Sequence, residues 1–189
     1  MTLTPHDERF IKALAVAIVD HPRATLKELA EAAGMSRATL HRFCGTRDHL
    51  LKMLEDHGKD VLHRIIEACC LSSTAPQEAL RNLIREHLAH RELLSFLVFQ
   101  YRPDFLDPEL DGARWQFYIE ALDAFFLNGQ HQGVFRIDIT AAVFTELFIN
   151  LVYGMVDAEQ RGRAASTNSA HTLEQMLLYG ASPRDPGEI

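Results

Sequence analysis

Three arginines, Arg37, Arg42 and Arg47, fall between Met35 and Arg47, a stretch without a single aspartate or glutamate. Guanidinium groups gathered in this way suit a polyanion, because each offers several donors to phosphate oxygens and stays charged at any physiological pH. Arg37, Ala38, His41 and Arg42 recur at spacings of three and four, so on a helix they share one outward face. Ser36 stands where it can cap that helix, with Thr39 in its first turn, while Leu40, Phe43 and Cys44 fall on the opposite, inward face. Thr25 and Thr46 are each placed to cap a further helix whose first N–H groups would point outward toward phosphate, and Arg47 adds a full charge beside the second of these caps.

Such a face needs a scaffold that holds it away from the core. In "TLKELAEAAGMSRATLHRF", Thr25 to Phe43, the residues Leu26, Leu29, Ala30 and Ala33 form one apolar stripe. Gly34 supplies a sharp turn, because a left-handed backbone costs glycine little. Two short helices meeting at such a turn, with small residues where they cross, are the pattern of a helix-turn-helix whose second helix enters the major groove. A plain helical hairpin has the same turn and the same small residues; the acid-free cationic face favours DNA.

The net charge of the whole chain, −7, argues the other way until its distribution is read. Up to Arg64 there are ten basic residues against nine acidic ones, and beyond it nine against seventeen. Screening over about 10 Å lets a local basic face meet phosphate while an acidic body lies elsewhere.

Other chemistries find little support. His87 and His90 lie three apart on one expected helix, but a bundle metal site draws Glu-x-x-His pairs from two helices and the chain has none, so solvated or pocket-edge histidine is the reading, with no metal or cofactor. No phosphate-binding glycine loop, Cys-x-x-Cys pair or nucleophile elbow appears, and no enzyme is expected. The three cysteines, Cys44, Cys69 and Cys70, give no disulfide framework; Cys69 and Cys70 read as small core residues, with oxidant sensing as the other possibility. The N-terminus lacks the order of a signal peptide and the longest purely apolar run is Ala13 to Val19, so the expectation is a cytoplasmic protein with no membrane span.

Apolar residues recurring at three and four over long segments predict an all-α chain. The expected helices are Asp7 to Asp20, the two short ones, one from about Thr46 that passes Gly58 and stops at "SSTAP", then Pro76 to Arg91 and Glu92 to Tyr101, closed by "RPDFLDP". Pro108 to Gln130, Thr140 to Arg161 and Asn168 to Tyr179 complete the set.

The segment "TLKELAEAAGMSRATLHRFCGTRDHLL", Thr25 to Leu51, resembles the tetracycline-repressor (TetR) family of bacterial transcriptional regulators, and the helices around it follow that family's layout. Three positions depart from the family's usual residues: His41 replaces a phosphate-contacting tyrosine, Cys44 a packed phenylalanine, and Arg47 a lysine. The resemblance implies a three-helix DNA-binding domain over 1–52, a helical ligand-binding and dimerisation domain over 53–182, and a tail, 183–189. It also implies a homodimer on double-stranded operator DNA that answers to a small-molecule effector. Thr25, Ser36, Arg37, Ala38, Thr39, His41, Arg42, Thr46 and Arg47 would face that DNA.

In the body, aromatic residues concentrate between Glu92 and Gly154. Phe96, Phe99, Gln100, Trp115, Tyr118, Phe125, Phe148 and Tyr153 combine apolar surface with a few polar tips, as a pocket for an apolar or amphipathic ligand would; any single one of them could equally be core. The last two helices carry more apolar surface than one bundle hides. Val143, Leu147, Leu151 and Met155, with Leu173, Met176 and Leu177, could supply half of a two-fold four-helix interface. The function expected is a ligand-responsive DNA-binding regulator, with a repressor released by its effector as the first reading and the residues themselves leaving repressor and activator open. The alternative is a helical small-molecule-binding protein or enzyme in which the hairpin is only structural.

Overall fold

The computed structural model describes residues 5–101 and 112–181. Among these residues there are nine α-helices and no strand: α1 (Pro5–Asp20), α2 (Leu26–Ala32), α3 (Arg37–Cys44), α4 (Arg47–Cys69), α5 (Pro76–Ala89), α6 (Arg91–Tyr101), α7 (Gly112–His131), α8 (Ala141–Gln160) and α9 (Ser169–Ala181). The expected closing turn "RPDFLDP", the expected helix start at Pro108 and the tail 183–189 lie outside the described residues. Two compact units emerge, Met1–Val61 with His90–Pro108, and Leu62–Ala89 with Glu109–Ile189. The boundary between them falls between Val61 and Leu62 of α4.

In the first unit α1 buries Ile11, Leu14, Ala15, Ala17 and Ile18, and packs on α2 and α6. Leu29 and Ala30 of α2 and Leu40 and Cys44 of α3 complete the inner face of the hairpin. Gly58, a residue that by propensity alone weakens a helix interior, is a packing site in α4: a Cβ there would lie 2.7 Å from Leu97 Cδ1 of α6. The helix continues because that leucine closes over the bare backbone.

The second unit is built around phenylalanines. Phe126 of α7 lies with its ring centroid 5.3 Å from Phe135, 5.4 Å from Phe144 and 6.3 Å from Phe148, and all four are fully buried. Offset and tilted rings at such distances add to the burial itself, by roughly 0.5–1.5 kcal/mol per pair. By length and composition alone α8 is long and apolar enough to cross a membrane, although its apolar residues form no single unbroken run. Here its Phe144, Thr145, Phe148, Val152 and Val156 are buried, and the helix packs against α5, α7 and α9.

Candidate nucleic-acid interface

The hairpin forms because each of its short helices is fixed at its ends. Thr25 caps α2 in a reciprocal box: its hydroxyl accepts from the Glu28 N–H, and its own N–H and hydroxyl donate to the Glu28 carboxylate at 2.7 and 2.8 Å. This changes the role expected of Thr25. Its own N–H and hydroxyl are engaged by an internal carboxylate, so Thr25 serves the fold as a cap. The Thr25 backbone N–H and then its hydroxyl hold the Glu28 carboxyl below the usual carboxylate range. A lowered carboxyl pKa stabilises the fold above the unfolded-state value, and the benefit is lost as pH falls through the folded-state value. Glu28→Gln should therefore flatten the acid side of the hairpin's melting profile, measured by circular dichroism from neutral pH down to the carboxylate range.

Gly34 turns the chain with φ +69°, and Ser36 opens α3 by accepting the Thr39 N–H at 3.0 Å. No acid lies in the first turn of α3, whereas α2 has Glu28 and α4 has Asp48. Leu40 and Cys44 point inward, and Arg37, Ala38, His41 and Arg42 are all exposed. The face read from spacing therefore exists as one surface. The Cys44 thiol, where the family usually has a phenylalanine, donates to the Leu40 carbonyl at 3.3 Å inside the core.

Thr46 caps α4 by accepting the His49 N–H at 3.2 Å. Arg47, expected to face phosphate, donates through Nη2 to the Pro22 carbonyl at 2.7 Å, tying the turn between α1 and α2 to the start of α4. One end of its guanidinium is a brace, and the remaining N–H donors of the fork are what it could offer an anion.

Comparison with known proteins bears on this geometry. No family model matches the chain. NfxB, an HTH-type transcriptional regulator of Pseudomonas aeruginosa, is 79% identical over 182 residues, spanning 96% of this chain and 97% of the relative. The crystal structure of the TetR-like regulator LfrR in complex with proflavine superposes with a TM-score of 0.68 at 25% identity, covering 92% of this chain and 94% of the other. The chain belongs to the TetR family of transcriptional regulators. LfrR, named as a transcriptional repressor of Mycolicibacterium smegmatis, is also 35% identical over 101 residues, 53% of this chain and 52% of its own. The ketosteroid regulator KstR2 of Mycobacterium tuberculosis shares the TetR fold, with a TM-score of 0.75 at 14% identity over 97% of this chain and 98% of that one.

The aromatic set expected to line a pocket divides between the two units: Phe96, Phe99 and Gln100 belong to the first, and Trp115, Tyr118, Phe125, Phe148 and Tyr153 to the second. Phe96, Trp115, Tyr118, Phe125 and Phe148 are buried, Tyr153 and Gln100 are half-buried, and Phe99 is exposed. Within the second unit Phe125 also borders a half-open cleft of about 550 Å³ with Ile66, Leu71 and Ala121.

Sequence reasoning misplaced His87. It is buried, not solvated or at a pocket edge: Nδ1 lies 2.7 Å from the Leu83 carbonyl and Nε2 lies 2.6 Å from the Tyr118 hydroxyl. A carbonyl only accepts, so Nδ1 carries the proton and, in the neutral ring, Nε2 accepts from tyrosine. Burial pushes the Tyr118 hydroxyl far above its ordinary pKa, which keeps it a donor. The signal was present in the four-residue step from Leu83 to His87, but its partner, thirty-one residues away, was not visible from spacing.

The apolar face of the last helices is also smaller than expected. Leu173 and Leu177 are buried within the chain, because α9 turns them onto α5 and α8. Val143, Leu147 and Met176 are exposed, and Leu151 and Met155 are half-buried. Of the two adjacent cysteines, Cys69 is core, its thiol pushed up to about 11 by burial, and Cys70 is exposed.

Proposed function

We propose that this TetR-family regulator is a homodimeric, cytoplasmic repressor that binds double-stranded operator DNA through residues 1–52 and is released by a small apolar or amphipathic effector held in the body, 53–182. The observation that carries the DNA reading is the acid-free, exposed face of α3, with Arg37, Ala38, His41 and Arg42 side by side. Arg37 and Arg42 have the donors to read base edges, while Ser36, Thr39, His41, Thr46 and the free end of Arg47 are placed for backbone contacts. LfrR, a named repressor whose structure holds the planar aromatic proflavine, supports an effector of mixed apolar and polar character. The exposed Val143, Leu147 and Met176 support pairing with a second copy. Two copies would set their α3 helices about one turn of DNA, roughly 34 Å, apart. An effector must bind the free and the DNA-bound arrangements unequally, with a coupling on the order of 1–3 kcal/mol. No catalytic role is assigned, since the relatives are regulators.

The test is affinity selection of duplexes from a random pool, followed by titration of the selected duplex over a range of salt. Wild type should enrich a two-fold-symmetric sequence and lose affinity steeply as salt rises. Arg42→Ala should weaken the selected duplex by roughly 5- to 150-fold, from the roughly 1–3 kcal/mol carried by a base-reading arginine. Enrichment of no sequence, or equal affinity for Arg42→Ala, would overturn the reading and favour a small-molecule-binding protein with a merely structural hairpin.

A further inference from the structure

The joint between α3 and α4 is two residues long, Gly45 and Thr46, and is closed by a side chain outside the expected DNA-facing set. Gly45 has φ 71° and ψ −62°. These are the angles of a γ-turn, a strained conformation that glycine alone adopts at little cost. Its hydrogen bond is present: the Thr46 N–H donates to the Cys44 carbonyl at 2.8 Å. The same carbonyl takes a second donor, Nδ1 of His49, also at 2.8 Å. Because the carbonyl can only accept, the ring proton sits on Nδ1. His49 is in turn fixed at its own backbone, where its N–H donates to the Thr46 hydroxyl.

The terminal carbonyls of a helix lack intrahelical partners, and α3 has only eight residues, so its ends decide much of its order. At the start Ser36 holds the Thr39 N–H; at the finish Gly45 N–H satisfies the His41 carbonyl, and His49 with Thr46 satisfies that of Cys44. We infer that His49 is a positioning residue for operator recognition: it locks the γ-turn at Gly45 and so sets the angle at which α3 leaves α4. Base-edge contacts carry the sequence information and need that angle, whereas phosphate contacts carry none directly. The effect of His49 is therefore on selectivity more than on total affinity.

This inference rests on α3 being the reading helix, so the experiment carries both controls. Wild type, Arg42→Ala, His49→Ala and His49→Asn are titrated with a duplex selected by wild type and with a scrambled duplex, at several salt concentrations and well below each melting temperature. Asparagine places an N–H donor where His49 holds Nδ1. His49→Ala should bind the selected duplex roughly five- to tenfold more weakly, the scale of one lost hydrogen bond, with scrambled-duplex affinity and salt slope unchanged. His49→Asn should stay within about twofold of wild type, on the same hydrogen-bond scale. The inference is overturned if His49→Ala keeps its selectivity, if asparagine fails to rescue, or if both duplexes weaken together with a salt slope shallower by about 0.9, the mark of one lost phosphate contact. Unchanged binding by Arg42→Ala would instead show that the assignment of α3 was at fault.

Discussion

Gly129→Ala should destabilise the second unit by about 3 kcal/mol or more, the range of a lost core phenylalanine. Gly129 lies near the end of α7, and its carbonyl accepts the N–H groups of Val134 at 2.9 Å and Phe135 at 3.2 Å as the chain doubles back. That return lays the Phe135 ring against the bare Cα, so an added Cβ would fall inside the ring's van der Waals envelope. The ring has nowhere to go. It is 1% exposed, with centroids 5.7 Å from Phe125, 5.3 Å from Phe126 and 6.0 Å from Phe144. Alanine favours a helix interior over glycine by roughly 1 kcal/mol, so a propensity argument alone has the opposite sign. Chemical denaturation of the two single variants and of Gly129→Ala with Phe135→Ala decides between them. If the ring is the cause, the double variant costs little more than Phe135→Ala alone; a Gly129→Ala protein as stable as wild type would refute the packing account.

His87→Leu should cost roughly 2–3 kcal/mol, and Tyr118→Phe added to it should recover about half, on the scale of a buried unsatisfied hydroxyl. Leucine fills much of the imidazole volume but removes the acceptor of the Tyr118 O–H, which is 2.6 Å away in a buried setting. The Phe148 ring, whose centroid is 5.1 Å from that of His87 at an interplanar angle of 86°, offers the hydroxyl no comparable acceptor. Removing both polar partners leaves an apolar contact of similar shape, which is why the second substitution restores stability. Thermal unfolding of the four proteins of this cycle gives the coupling directly. Additive losses would mean that the hydrogen bond contributes little and that His87 acts by volume alone.

The hairpin was legible because its determinants are local. Thr25, Gly34, Ser36 and Thr46 each act within three or four residues, and the spacing of Leu29, Ala30, Leu40 and Cys44 fixes which side of each short helix faces inward. The orientation of Arg37, Ala38, His41 and Arg42 follows from the same 3.6-residue period. What spacing could not show was competition for donors. Glu28 engages Thr25 and Arg47 reaches Pro22, twenty-five positions back, so two groups expected to meet phosphate already serve the fold.

In the body the balance is reversed. Periodicity gave the helices and their apolar character, but not which apolar residues meet inside one chain. Leu173 and Leu177 look like Met176 in any window, yet two are buried and the third is 57% exposed. The sequence by itself determined an all-helical chain with one acid-free, basic helix face, because capping, turn geometry and charge act over a few residues. Only the tertiary structure decided that Gly129 makes room for Phe135, that His87 answers Tyr118, and that His49 closes the joint behind α3. Each of these depends on a side chain meeting a group from another element or across a turn, at a distance and direction that the order of residues does not encode.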